Sequence, residues 1–221
     1  MNVRDAILAR HSARAFLDRP VDPVLVRQML QVAARAPSGG NLQPWTVHVL
    51  TGAALERFKA EVSRKFEARA VETPEFNVYP PDLWDPLRAR RSAAARRRFD
   101  ACGLDENPEN TRLMQRLNYS FFGAPVGLFF FLDRRAGPPQ WGDLGMMMQS
   151  FMLLALDHGL ATCPQEIWAN WPRTIAEFMN IPDGLMLYSG MSLGYEDTAA
   201  KINSFRTERE PLEGFAHFQE A

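Results

Sequence analysis

The sequence predicts an α+β protein, and three observations carry that prediction. Helical patterns with apolar residues at three- and four-residue spacing alternate along the chain with short β-branched or apolar runs. One such run, Val126–Leu132, is unbroken and lies between Pro125 and Asp133, the pattern of a buried central strand. One helical pattern, residues 141–158, places Leu144, Met147, Met148, Phe151, Leu154 and Ala155 on a broad apolar face.

The elements follow in order. Residues 2–9 read as a short helix with Val3, Ile7 and Leu8 on one side. Asp22-Pro23 supplies the N-cap and first turn of the next helix, which carries Val26, Met29, Leu30 and Ala33 and stops before Pro37. Ser38-Gly39-Gly40-Asn41 is a loop, and Thr46–Leu50 is a strand that Gly52 ends. Residues 54–69 form an amphipathic helix. Prolines at 74, 80, 81, 86 and 108 then interrupt the segment 72–110, where Arg88, Arg90, Arg91, Arg96, Arg97 and Arg98 crowd into a partly helical run. Its apolar content is too low to close a core, so it is an excursion from one domain spanning 1–221. A helix around 111–119 precedes the central strand, and Gly159 caps the 141–158 helix. Pro172 starts a helix through Ile175 and Phe178 that ends at Ile181-Pro182, and Leu185–Gly194 is a strand. A C-terminal arm, about 200–221, carries Arg206, Arg209 and the apolar segment Phe215–Phe218.

Composition excludes several classes. Hydrophobic residues are 46% and charged residues 23% of 221, so the chain is not disordered. Lys+Arg is 25 against Asp+Glu 26, which leaves no basic excess to hold a nucleic-acid backbone. Cys102 and Cys163 form no disulfide framework or zinc knuckle. The longest apolar stretch, Ala124–Leu132, is about half a membrane span, and the first residues lack an apolar signal region. A cytoplasmic protein without membrane contact is expected. There is no dinucleotide fingerprint, phosphate loop or H-E-x-x-H, and the four histidines lack metal-ligand spacing, so no metal is expected.

Two segments carry chemistry. Arg10, Ser12 and Arg14 place two guanidinium forks and a hydroxyl just past a helix end, where they suit a phosphate. Alone, they also read as solvated arginines. Residues Pro37 to Trp45 combine glycines that let backbone approach a flat ligand with polar Ser38, Asn41 and Gln43. Alone, this is also an ordinary helix-to-strand loop.

Together these segments resemble the nitroreductase family of flavin enzymes. Arg10-His11-Ser12-Ala13-Arg14-Ala15-Phe16 matches R-x-S-x-R/K-x-F, and Pro37 to Trp45 matches P-S-x-x-N-x-Q-P-W. The likeness continues through Asn118 to Pro125, Pro164-Gln165-Glu166, Gly190 to Gly194 and the N-x-x-R-x-x-R tail of Asn203, Arg206 and Arg209. It implies a three-layer α/β/α sandwich with a mixed, mainly antiparallel sheet, in an intertwined homodimer. It implies FMN as cofactor, NADH or NADPH as electron donor and a small aromatic electron acceptor, with nitroarenes reduced through nitroso to hydroxylamine by a ping-pong mechanism.

By the same resemblance, Arg10, Ser12, Arg14, Arg206 and Arg209 hold the FMN phosphate and ribityl chain, with His11 in the same motif. Pro37, Ser38, Gly39, Asn41 and Gln43 reach the flavin from the partner subunit. Asn118 meets its pyrimidine edge. The backbone of Pro164, Gln165 and Glu166 lies against the central ring. No side-chain acid or base is then required, because the redox chemistry belongs to the flavin. The 72–110 excursion is a candidate lid, with Tyr79, Trp84 and Arg88 as substrate contacts and Trp168 at the mouth of the site. A solvated basic helix face and ordinary aromatic packing remain open for these residues. Quinone or enone reduction, reductive dehalogenation, oxidative flavin fragmentation and flavin binding without turnover are the alternatives on the same scaffold.

Overall fold

The structure is a computed structural model that describes residues 1–219. Its helices are α1 (Val3–Ala9), α2 (Pro23–Ala33), α3 (Gly52–Glu67), α4 (Leu87–Cys102), α5 (Pro108–Tyr119), α6 (Pro138–Asp157) and α7 (Pro172–Met179). Its strands are β1 (Thr46–Thr51), β2 (Val126–Asp133), β3 (Ala161–Gln165) and β4 (Leu185–Gly194). Local chemistry sets several boundaries. The Asp22 side chain accepts from Val24 N at 2.8 Å, with Pro23 in the first turn. Asn107 does the same for Asn110 N ahead of α5. Gly159, at φ +70°, takes the left-handed position just beyond α6 that a side chain would resist.

The strands run in the order β1-β2-β4-β3, and every neighbouring pair is antiparallel. The parallel component expected of a mixed sheet is reduced to one isolated bridge, Ser12 to Thr162. The segment around it makes a second bridge, Phe16 to Glu196, and never becomes a strand. β2 lies inside the sheet and is buried along its length because helices cover both faces. Leu55, Phe58 and Val62 of α3, Tyr119 of α5 and Ile175 of α7 pack with Phe129, Phe131 and Leu187 on one face. Val26 and Met29 of α2 and Leu144, Met147 and Phe151 of α6 pack with Leu128, Phe130, Met191 and Leu193 on the other. A bulge at Phe130/Phe131 explains why Met191 and Leu193 face α6 while Leu187 faces α3. One extra residue inverts the alternation of β4, and Tyr188 is turned onto Trp141 of α6.

Gly190 marks the tightest approach. A Cβ there would stand 2.2 Å from Cδ1 of Trp168, whose ring is fully buried. Gly190→Ala is therefore expected to cost about 1–3 kcal/mol through overpacking. Thermal denaturation checks this, and a Trp168→Leu partner substitution should restore part of the loss. Equal melting of Gly190→Ala and the parent chain would show that the ring yields freely.

The excursion 72–110 is anchored at its start. The buried Glu72 carboxylate accepts from the N–H groups of Arg173 (2.9 Å) and Thr174 (3.1 Å) at the head of α7. Glu75 accepts from Leu187 N at 3.1 Å and pairs with Arg134. Within the excursion, α4 is a full 16-residue helix outside both core clusters, with Phe99 its sole buried residue. It lies on the C-terminal arm, where Arg90 pairs with Glu210 (2.7 Å) and Arg97 with Glu208. The last two residues of the predicted arm, 220–221, lie outside the described residues. Among the described residues no helix is long and apolar enough to cross a membrane.

Candidate functional site

The segment after α1 is held by backbone bonds to β3 and to the residue just past β4, and by one side chain of the arm. Ala13 N donates to Thr162 O at 3.0 Å, and Leu17 N to Tyr195 O at 2.9 Å. The buried Asn203 accepts from Arg14 N (2.6 Å) through Oδ1 and donates from Nδ2 to Ala15 O and Asp197 O (both 2.9 Å). Asn203 thereby joins the first and last motifs of the chain. His11 is taken up as a brace, its ring nitrogens meeting Ala9 O (3.1 Å) and Glu196 (2.9 Å).

This frame gathers cations. Arg10 stands near Arg209, and burial followed by that like charge pushes its pKa down. The fully buried Cys163 thiol is pushed up by burial, against opposing pulls from Arg14, Ser12, Arg98 and Arg10 around it. Arg14 donates to Ser12 O at 3.1 Å and lies over the Phe205 ring at 5.4 Å. Arg209 holds Thr207 Oγ1 at 2.8 Å, while Arg206 turns onto the carbonyls of Asn203 (2.8 Å) and Phe205 (2.9 Å). Among the described residues no carboxylate pairs with Arg10, Arg14, Arg98 or Arg209. Three of these guanidinium groups lie around Cys163 of β3 and Arg209 lies beside Arg10, a carboxylate-free grouping whose chemistry suits an anion.

A second group lies where α5 meets β3. Gln165 is buried, and its Nε2 donates to Asn118 O (2.7 Å) and Asn118 Oδ1 (2.6 Å). Its Oε1 accepts from Ser192 Oγ at 2.8 Å. The Gln165 side chain is thus spent on Asn118 and Ser192. The same bonds fix the Asn118 amide, with oxygen toward Gln165 and the Nδ2 donor left over. Glu166 lies on the exposed surface beside Tyr188, yet lost hydration around its carboxyl raises its pKa. Burial, and then Glu166, push the Tyr188 phenol up.

The loop Pro37–Trp45 stands apart from both groups. Gly39 N bonds the buried Asp143 carboxylate at 3.2 Å, and Gln43 N bonds Ser38 Oγ at 3.0 Å. Gly40, Asn41 and Gln43 take left-handed φ values of 56°, 57° and 47°, which present Asn41 and Gln43 outward. None of the loop's hydrogen bonds runs to the arginine cluster.

One expected substrate contact is corrected. Trp168 does not line a mouth, because it is fully buried among Phe58, Tyr119, Phe121 and Phe129. Gly190 is what lets it sink that far. Arg88 is exposed, and its guanidinium meets the equally exposed Asp85 at 2.7 Å. Tyr79 and Trp84 are 47% and 57% exposed, with Arg91 lying 4.4 Å over the Tyr79 ring.

The pattern of the nitroreductase family matches residues 7–195. The chain belongs to the nitroreductase family. This nitroreductase is 36% identical over 216 residues to 4-nitrobenzoate reductase of Pseudomonas putida, covering 97% of this chain and 94% of that one. It is 35% identical over 219 residues to chloronitrobenzene nitroreductase of Comamonas testosteroni, with 98% and 96% covered. Among solved structures, the FMN and NADPH-dependent nitroreductase NfnB from Sphigopyxis sp. strain HMH superposes at a TM-score of 0.96, with 38% identity and both chains fully covered.

In this nitroreductase, sequence reasoning missed two members of the cluster's frame. Asn203 was legible only as a motif letter, and its clamp on Arg14 is a long-range contact. Arg98 was hidden among five other arginines, and the one local signal was its neighbour Phe99, the large apolar residue that turns that side of α4 inward.

Proposed function

We propose that this nitroreductase is an FMN-dependent oxidoreductase that takes electrons from NADH or NADPH and reduces nitroaromatic compounds. The observation that carries the reading is the carboxylate-free group of arginines built on the N-terminal segment and the arm. A phosphate near −2 charge fits such a group, because several charge-assisted bonds can converge on it. The leftover Nδ2 donor of Asn118 fits a carbonyl of the flavin's pyrimidine edge. Relatives named for 4-nitrobenzoate, chloronitrobenzene and nitrobenzene support the substrate class.

Bound FMN would supply the two-electron chemistry that no side chain here can perform. The chain's own residues divide the remaining work. Arg10, Ser12, Arg14 and Arg209 hold the phosphate, and Asn203 positions Arg14. Gln165 orients Asn118 so that a donor faces the ring edge, where it stabilises developing negative charge. Two-electron steps would carry a nitro group through nitroso to hydroxylamine, with donor and acceptor using one pocket in turn.

The loop Ser38–Gln43 serves a second copy of the chain in this reading. Asn41 and Gln43 are exposed, and Gln43 Nε2 reaches only Asn41 O of the same loop, at 3.2 Å. Leu8, Leu42, Phe215 and Phe218 are 73%, 61%, 65% and 74% exposed and call for cover. The whole chain is then one domain, with 72–110 as its insertion. Purified protein is expected to be a yellow dimer that NADH or NADPH bleaches without oxygen and that a nitroarene restores. Parallel double-reciprocal lines should follow. Flavin that binds but resists both nicotinamides would favour a carrier, and a colourless monomer would overturn the reading.

A further inference from the structure

We propose that Arg98 of the insertion helix is a phosphate ligand, so that α4 closes the phosphate end of the flavin site; this rests on the FMN reading above. Arg98 Nε is fully shielded from water and has no hydrogen-bond partner among the described residues. A buried guanidinium donor left unpaired is costly, and a like charge beside it adds to the cost. Arg98 has such a neighbour: burial first, then Arg14, push its pKa down. The same arginine bears on the buried Cys163 of β3, as do Arg10 and Arg14. An anion bound among these groups removes both penalties at once.

The rest of α4 explains why this arginine is the one turned to the task, since Arg96 is exposed to solvent and the others are engaged elsewhere. Arg88 is neutralised by Asp85, Arg90 by Glu210 and Arg97 by Glu208, and Arg91 lies on the Tyr79 ring. Arg97 also donates to Arg206 O at 3.2 Å. These contacts fasten the helix to the arm that carries Arg209, next to the turn Lys201–Asn203 that clamps Arg14. The helix is thus seated by its outer arginines, and the half-buried Arg98, with its shielded Nε, is delivered to the cluster. The ligand chemistry is a phosphate monoester dianion. The source we assign is FMN, and the 2′-phosphate of NADPH is the competing source.

The test uses purified apoprotein of the parent chain, Arg98→Met and Arg98→Lys, titrated with FMN and with riboflavin, which lacks the phosphate. Arg98→Met should raise the FMN dissociation constant about 10- to 100-fold, the scale of a lost charge-assisted bond, and leave riboflavin within about twofold. Arg98→Lys, a point charge without the fork, should fall between. Inorganic phosphate should raise the melting temperature of the parent more than that of Arg98→Met. Unchanged FMN affinity in either folded variant overturns the inference, as does an equal loss for FMN and riboflavin. A changed preference for NADPH over NADH at constant FMN affinity would move Arg98 to the nicotinamide phosphate and overturn the assignment to FMN. If Arg98→Met does not fold, Arg98→Lys decides alone. A parent chain that binds neither flavin refutes the FMN reading itself, whereas a parent that prefers FMN beside an Arg98→Met that prefers it equally refutes only the role of Arg98.

Discussion

A chain carrying both Arg10→Gln and Arg14→Gln is expected to purify without flavin and to bind added FMN at least about 100-fold more weakly. Each charge-assisted bond to phosphate contributes about 1.5–3 kcal/mol, so two losses span roughly two to four powers of ten before coupling. Stability should move the other way. The pKa of Arg10 is lowered in the fold by burial and then by Arg209, so folding disfavours its charged form. Neutral glutamine relieves that penalty, and the apoprotein should melt at the same or a higher temperature. Flavin titration and thermal denaturation on one preparation separate the two effects. Full FMN affinity in the double variant would place the phosphate elsewhere.

Trp168→Ala should be the most damaging single change to the fold. The side chain is fully buried, with Phe121 and Phe129 ring centroids at 4.7 and 5.3 Å. Removing such a ring costs about 3–5 kcal/mol through lost burial and the cavity left behind. For a chain of this size that corresponds to roughly 6–20 °C in melting temperature. Trp168→Phe should cost less, because it keeps most of the volume and removes an indole Nε1 that has no partner. The turn Glu166–Asn170 contains this ring, so the alanine variant should also weaken flavin binding. Chemical denaturation at matched flavin saturation checks both effects, and a loss below about 1 kcal/mol would contradict the core placement.

The sequence made the sheet's centre and most helices legible for identifiable reasons. Val126–Leu132 had no polar interruption, and α2 and α7 carried proline in their first turns. β3 was not assigned because its five residues, ATCPQ, contain a proline and no periodic signal; pairing with β4 makes it a strand. α4 lacks an apolar stripe, so its full length rests on alanine and arginine propensity and on charge contacts with the arm. The misplacement of Trp168 has one cause, the missing side chain at Gly190, and no local rule announces a contact twenty-two residues away. The arginine cluster was legible at its two ends, but its third contributor comes from the middle of the chain and needs the fold to be seen.

Glu72 and Glu75 reach the protein body through main-chain N–H groups of α7 and β4, and Asn107 seats the far end by capping α5. Main-chain partners are the same whatever side chains surround them. The span between these three residues is thus a cassette: it can change at positions other than Phe76, Phe99 and the arginines that face the arm without disturbing the sheet. Divergence can proceed there, around the helix that Arg90 and Arg97 tie to the C-terminal arm.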